Sequence, residues 1–204
     1  MRTATSMELL APAGGWEQLK YAIHFGADAV YLASDRFGMR QRASNFALDE
    51  LARAVAYAHA HGVTVHVTCN IVMHDADLDE LARYLFAMRD AGVDALIVGD
   101  LGAFALARRL VPELELHVST QASVSNSEAA KVWHSLGAKR IVCARELSVA
   151  DISRMRAELP EDLELEAFVH GSMCMAYSGR CLISDYLTGR SALTGNCTQS
   201  CRWN

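Results

Sequence analysis

The sequence predicts an α/β chain of the (β/α)8 TIM-barrel type, incomplete at about seven βα units, with a cysteine-rich loop segment at its C-terminal end. Three observations predict it. Short runs rich in Val, Leu and Ile alternate with segments of helical spacing along almost the whole chain. A glycine marks four of the six returns from helix to strand, in Gly26-Ala27-Asp28-Ala29-Val30, Gly92-Val93-Asp94-Ala95-Leu96, Gly137-Ala138-Lys139-Arg140-Ile141 and, more loosely, Gly62-Val63-Thr64-Val65. Glycine just past a helix takes the left-handed conformation that ends it, and such short joints are typical of parallel βα units. Polar residues close several strands, and no Gly-x-Gly-x-x-Gly follows the first. That favours a barrel over an open doubly wound sheet.

Glu8 to Ala13 reads as the first strand, broken by Gly14-Gly15, and Trp16 to Phe25 as the first helix. Asp28 to Ala33 is the second strand. Leu48 to His61 has helical spacing, with Leu48, Leu51, Val55 and Ala58 on one face. Thr64 to Asn70 is a strand in which Val65, Val67 and Cys69 alternate with Thr64, His66 and Thr68. Then follow helix 78–91, strand 95–99, helix 103–111, strand 116–119, helix 127–136, strand 140–144, helix 149–158 and a seventh strand, Leu163 to Val169. No eighth unit is visible, so the chain reads as one barrel domain over 1–204, shortened relative to a full barrel.

Composition narrows the function classes. With 204 residues, 51 % apolar and 21 % charged, the chain supports one sizeable core and is not of the disordered class. A net charge of -5 is unlike a dedicated nucleic-acid module, so any RNA contact must come from a local patch or another part of the protein. No apolar run is long enough to span a membrane, and no signal core follows Met1 to Ser6. The expected compartment is the cytoplasm, with no membrane contact.

The chemistry gathers where strands end. Asn70, Asp100, Thr120-Gln121, Arg145-Glu146 and His170 follow successive strands, and in a barrel those ends converge on the active-site face. Each alone reads as a cap or turn former; their number makes Thr120, Gln121, Arg145 and His170 the candidate pocket residues. Four of the six cysteines crowd into the segment 170–204, as Cys174, Cys181, Cys197 and Cys201 in the pattern C-x6-C-x15-C-x3-C. Disulfides do not suit a cytoplasmic chain. Structural zinc usually takes tight C-x2-C pairs, which are lacking. Iron–sulfur clusters tolerate irregular spacing. Spacing alone leaves zinc and iron–sulfur equally open. A reactive cysteine served by His170 and Arg180 is a further reading.

The run Glu166-x-Phe168-x-x-Gly171-Ser172-Met173-Cys174-x4-Gly179-x-Cys181-x-Ile183-Ser184 resembles the signature of the U32 family, named for collagenase-like peptidases. Leu9-Leu10-Ala11-Pro12-Ala13-Gly14, Gly26 to Tyr31 and Ser119-Thr120-Gln121 resemble it too, so the likeness covers nearly the whole chain. Tyr177-Ser178-Gly179-Arg180-Cys181 and Cys197-x3-Cys201-Arg202-Trp203 are most similar to the branch of tRNA uridine hydroxylases. The resemblance implies oxygen-independent formation of 5-hydroxyuridine at the wobble position of tRNA, with prephenate as a co-substrate. It also implies a [4Fe–4S] cluster on Cys174, Cys181, Cys197 and a fourth ligand, either Cys201 or a cysteine beyond residue 204. A protein partner or a further C-terminal domain is expected. The alternatives are a collagenase-like peptidase, for which neither a His-Glu-x-x-His nor a Gly-x-Ser-x-Gly motif is found, and a non-catalytic iron–sulfur partner subunit.

Among the other residues, His66, His117 and His134 read as structural, with a barrel-interior role open for His66. Arg36, Arg40 and Arg42 form a loop patch suited to phosphate or to a carboxylate.

Overall fold

Five of the seven strands carry β-branched residues, which suit a pleated, packed surface. In a computed structural model, which describes residues 7–39, 45–171 and 173–203, the strands are β1 (Leu10–Pro12), β2 (Ala29–Leu32), β3 (Thr64–Cys69), β4 (Ala95–Val98), β5 (Glu115–Val118), β6 (Arg140–Val142) and β7 (Glu164–Glu166). They form one sheet in sequence order, β1 to β7, every neighbouring pair parallel. A central reversal of strand order would mark a doubly wound sheet; sequential order marks a barrel. Among the described residues there is no eighth strand, so the barrel is incomplete, as the sequence leads one to expect.

The connecting helices are α1 (Trp16–His24), α2 (Leu48–Ala60), α3 (Asp75–Asp90), α4 (Leu101–Leu110), α5 (Ser127–Ser135) and α6 (Val149–Glu158), with a short α7 (Ile183–Thr188) in the cysteine segment. The glycines that repeat in the sequence do end helices: Gly26, Gly62, Gly92 and Gly137 have φ of 89, 75, 77 and 101°. Two helices start earlier than their apolar spacing suggests. Asp100 accepts the Ala103 amide at 2.9 Å and so caps α4. In α3 the His74 amide donates to Asp77 at 2.8 Å, adding a polar first turn ahead of Leu78. At the other extreme β7 keeps three of seven expected residues. Among the described residues it pairs only with β6, and beyond the Cys143 amide bond to the Glu166 carbonyl, Phe168 and Val169 are exposed.

The sheet's two faces differ in kind. Val65, Val67, Leu96, Val98, Leu116, Val118, Ile141 and Leu163 point outward into one core shared with Leu19, Leu51, Leu81, Leu85, Phe104 and Met155 of the helices. Burying each such side chain contributes roughly 1.5–3 kcal/mol. The opposite face, one residue out of phase, carries Tyr31, His66, Thr68, His117, Arg140, Glu164 and Glu166. This inner face is polar and ends in the cavity at the barrel mouth.

Candidate active site

A cavity of about 400 Å³ opens where the strands end. Thr120, Gln121, Arg145 and His170, selected by their positions after β5, β6 and β7, all line it. Asn70 after β3 joins them, whereas Asp100 serves the α4 cap. Glu146 faces away and holds the cysteine segment, accepting from the Ser178 amide at 2.8 Å and the Ser178 hydroxyl at 2.9 Å.

Backbone chemistry fixes this wall. Ser119 is buried, and its hydroxyl accepts from the Gln121 amide and from Asn70 Nδ2, each at 3.2 Å. Asn70 Oδ1 in turn accepts from the Met39 amide at 3.2 Å. Thr120 donates to the Cys143 carbonyl at 3.4 Å. The loop after β4 can approach because residue 99 is glycine: a Cβ there would lie 2.8 Å from the Asn70 carbonyl oxygen and 3.0 Å from Gln121 Cβ. Arg145 brings a cation to this wall, and its buried Nε has no hydrogen-bond partner among the described residues.

Glu166 lines the same cavity from β7, and beneath it lies an ion cluster. The guanidinium of Arg140, 10 % exposed, binds Glu8 at 2.7 Å and Glu164 at 2.5 Å. It reaches Glu166 only at 3.5 Å. Three carboxylates thus share one guanidinium, and Glu166 is the least compensated. Burial raises the pKa of its carboxyl against the opposing pull of Arg140. Nearby the His66 and His117 rings meet edge to face, centroids 4.8 Å apart, both buried and each with an unpartnered Nδ1 among the described residues. Burial, and the neighbouring His117, push His66 down to about 4. His117 is lowered as well, chiefly by burial. Burial thus favours the neutral form of both rings in the barrel interior. His134 is a surface residue that pairs with Asp162 at 3.2 Å.

Sequence reasoning missed Glu166 and Arg140 as parts of the site. The available signal was period-2: Glu164 and Glu166 alternate with Leu163 and Leu165, which puts both carboxylates on the inner face. The arginine patch comes out differently. Arg36 forms an ion pair with Glu80 and sits 5.4 Å over the Phe37 ring. Arg40 and Arg42 lie outside the described residues.

The cysteine segment runs beside the mouth, since Met173 and His170 also line the cavity. Cys174, Cys197 and Cys201 are exposed and Cys181 is half-buried, unlike the core residues Cys69 and Cys143, whose thiols burial pushes up to about 12 and about 11. Few residues anchor the segment. Ser178 sits on Glu146, the Val72 amide donates to the Leu193 carbonyl at 3.0 Å, and Arg202 donates to the Met173 carbonyl at 2.6 Å. Among the described residues no group of three or more His, Cys, Asp or Glu side chains is placed to hold a metal ion. As arranged here the four thiols of the segment are not gathered into one site.

Comparison with known proteins places this architecture. The chain is 45 % identical over 197 residues to "tRNA hydroxylation protein P1" of Bacillus subtilis (strain 168), covering 97 % of this chain and 46 % of that protein. It is 42 % identical over 196 residues to a 23S rRNA 5-hydroxycytidine synthase of Escherichia coli (strain K12), covering 96 % of this chain and 29 % of the synthase. The chain thus spans less than half the length of these relatives. A solved structure of a U32 peptidase superposes with a TM-score of 0.66 at 19 % identity, covering 81 % of this chain and 70 % of that one, which shows a shared fold. The model of peptidase family U32 matches residues 14–204. The incomplete barrel with its polar mouth and adjoining cysteine segment belongs to the U32 peptidase family.

Proposed function

We propose that this chain forms the reaction barrel of an RNA hydroxylase that converts a tRNA uridine to 5-hydroxyuridine at the wobble position, without molecular oxygen. One observation carries the reading: in a chain so similar to a tRNA hydroxylation protein, Thr120, Gln121, Arg145 and His170 converge on one cavity beside the cysteine segment. About 400 Å³ lies within the range of small-molecule sites and admits a nucleobase with a small co-substrate. Arg145 suits a carboxylate of prephenate, and the amide and hydroxyl groups of Asn70, Gln121 and Thr120 suit the edge of a base.

We also propose Cys174, Cys181 and Cys197 as ligands of a [4Fe–4S] cluster in the longer protein, with Cys201 or a further cysteine as the fourth. Four cysteines concentrated in one loop segment beside the mouth support the reading, since iron–sulfur clusters tolerate irregular ligand spacing. Iron and sulfide analysis of anaerobically purified protein tests this; stoichiometric zinc without iron removes it.

The hydroxylase reading is tested by mass spectrometry of tRNA nucleosides from a deletion strain. Loss of 5-hydroxyuridine derivatives, restored by wild type and not by Cys174→Ala, is the expected result. Unchanged derivatives in the deletion strain would remove the reading. Collagen or peptide cleavage that persists in Cys174→Ala would favour a peptidase instead.

A further inference from the structure

We infer that the exposed face of the cysteine segment is a docking surface for single-stranded RNA, with Tyr186 and Trp203 as stacking platforms beside the cavity. This rests on the RNA-hydroxylase reading and names the contacts that reading lacks. A base cannot reach a walled cavity from inside a stack, so the target nucleotide must turn out of it. Its neighbours then need surfaces to stack on and cations for their phosphates.

The charge distribution points to this face. The chain carries -5 overall, yet residues 167–203 hold Arg180, Arg190 and Arg202 against Asp185 as their one carboxylate. The aromatic side chains are uncovered: Tyr186 is 88 % exposed and Trp203 58 %. An aromatic on a helix normally turns inward, and in α7 it is Ser184 that is buried while Tyr186 faces out. In the rival basic patch Arg36 is already paired with Glu80, and Arg40 and Arg42 lie outside the described residues.

The surface is continuous with the mouth. Met173 lines the cavity, and its carbonyl accepts from Arg202, the residue before Trp203, at 2.6 Å. From there Ser200 contacts Thr198 at 2.6 Å, and Thr198 contacts Ser184 of α7 at 3.0 Å. These bonds tie the start of α7, two residues before Tyr186, and the turn before Trp203 to the Met173 stretch at the cavity's rim. Phe168, half-exposed, lines the cavity itself.

Fluorescence anisotropy on the purified full-length protein tests the inference without turnover. The probes are a labelled uridine-containing single strand and a duplex of the same length. The single strand is expected to bind more tightly than the duplex. Tyr186→Ala and Trp203→Ala are each expected to weaken it by about fivefold to about a hundredfold, with the salt dependence unchanged. Tyr186→Phe is expected to keep wild-type affinity, since the ring is retained. Arg180→Gln is expected to flatten the slope of log Kd against log salt by about 0.7. Equal affinity for both probes, or alanine variants within twofold of wild type, would overturn the inference. So would alanine variants that lower the melting temperature while leaving RNA affinity intact, because the patch would then be covered by protein. If the deletion strain keeps its 5-hydroxyuridine yet the stacking variants lose single-strand binding, the activity reading fails and the surface stands.

Discussion

At the scale of single residues, the Arg140 guanidinium in the barrel interior is shared by three carboxylates. Arg140→Met would remove the guanidinium that Glu8, Glu164 and Glu166 share, and is expected to cost about 3 kcal/mol in urea denaturation. Glu166→Gln should act in the opposite direction. A carboxyl whose folded pKa is raised contributes stability below its unfolded pKa and loses it as pH rises through the folded value. Near pH 8 the glutamine variant is therefore expected to be at least as stable as wild type; a clear loss would show that the contact to Arg140 outweighs burial. His66 has the reverse sense. Its folded pKa of about 4 lies below the usual imidazole value of 6.5, so its contribution is present above pH 6.5 and is lost as pH falls toward 4. That loss is on the order of 3 kcal/mol. His117 is lowered too and adds to it, while Glu166 opposes it. Melting curves between pH 7.5 and 4.5 check the sign, and His66→Phe is expected to flatten them.

At the scale of elements, the loops that shape the cavity depend on small local devices. Gly99→Ala places a methyl against the Asn70 carbonyl, which is backbone and cannot rotate away. The expected cost is about 1–3 kcal/mol, with the Asn70–Ser119–Gln121 wall displaced. Thermal melts report the first effect and ligand affinity the second. Helix α6 begins with a reciprocal cap in which Ser148 Oγ accepts from the Asp151 amide at 3.2 Å and Asp151 accepts from the Ser148 amide at 3.1 Å. Ser148→Ala is expected to lose about 1 kcal/mol in chemical denaturation without changing the cavity. The contrast between these variants separates stability from site geometry. The elements themselves were legible because their signals are local: apolar period and helix-ending glycine. Their ends were less so. The last residues of β7 depend on having a strand neighbour, which no local pattern encodes.

At the scale of the whole molecule, sequential parallel order brings residues from distant positions to one mouth. Thr120 and His170 are 50 positions apart in the chain and share a wall. Arg145→Gln is expected to leave stability within about 0.5 kcal/mol while weakening binding of a small dicarboxylate at least tenfold, read by calorimetry. Equal binding by the variant would move the anion site elsewhere. By itself the sequence determined the fold class, the family and the face on which polar strand ends gather, because these follow from periodicity, glycine placement and a dense cysteine signature. Only the tertiary structure decided which of those polar residues face the cavity. Asp100 became a cap and Glu146 an anchor, while Thr120, Gln121, Arg145 and His170 stayed at the mouth. It also decided that Arg140, which looks like an ordinary strand residue, holds Glu8 from 132 positions away and leaves Glu166 short of a counterion. The physical reason is that a strand's pattern shows which residues share a face, while burial and charge compensation depend on what the other strands bring to that face.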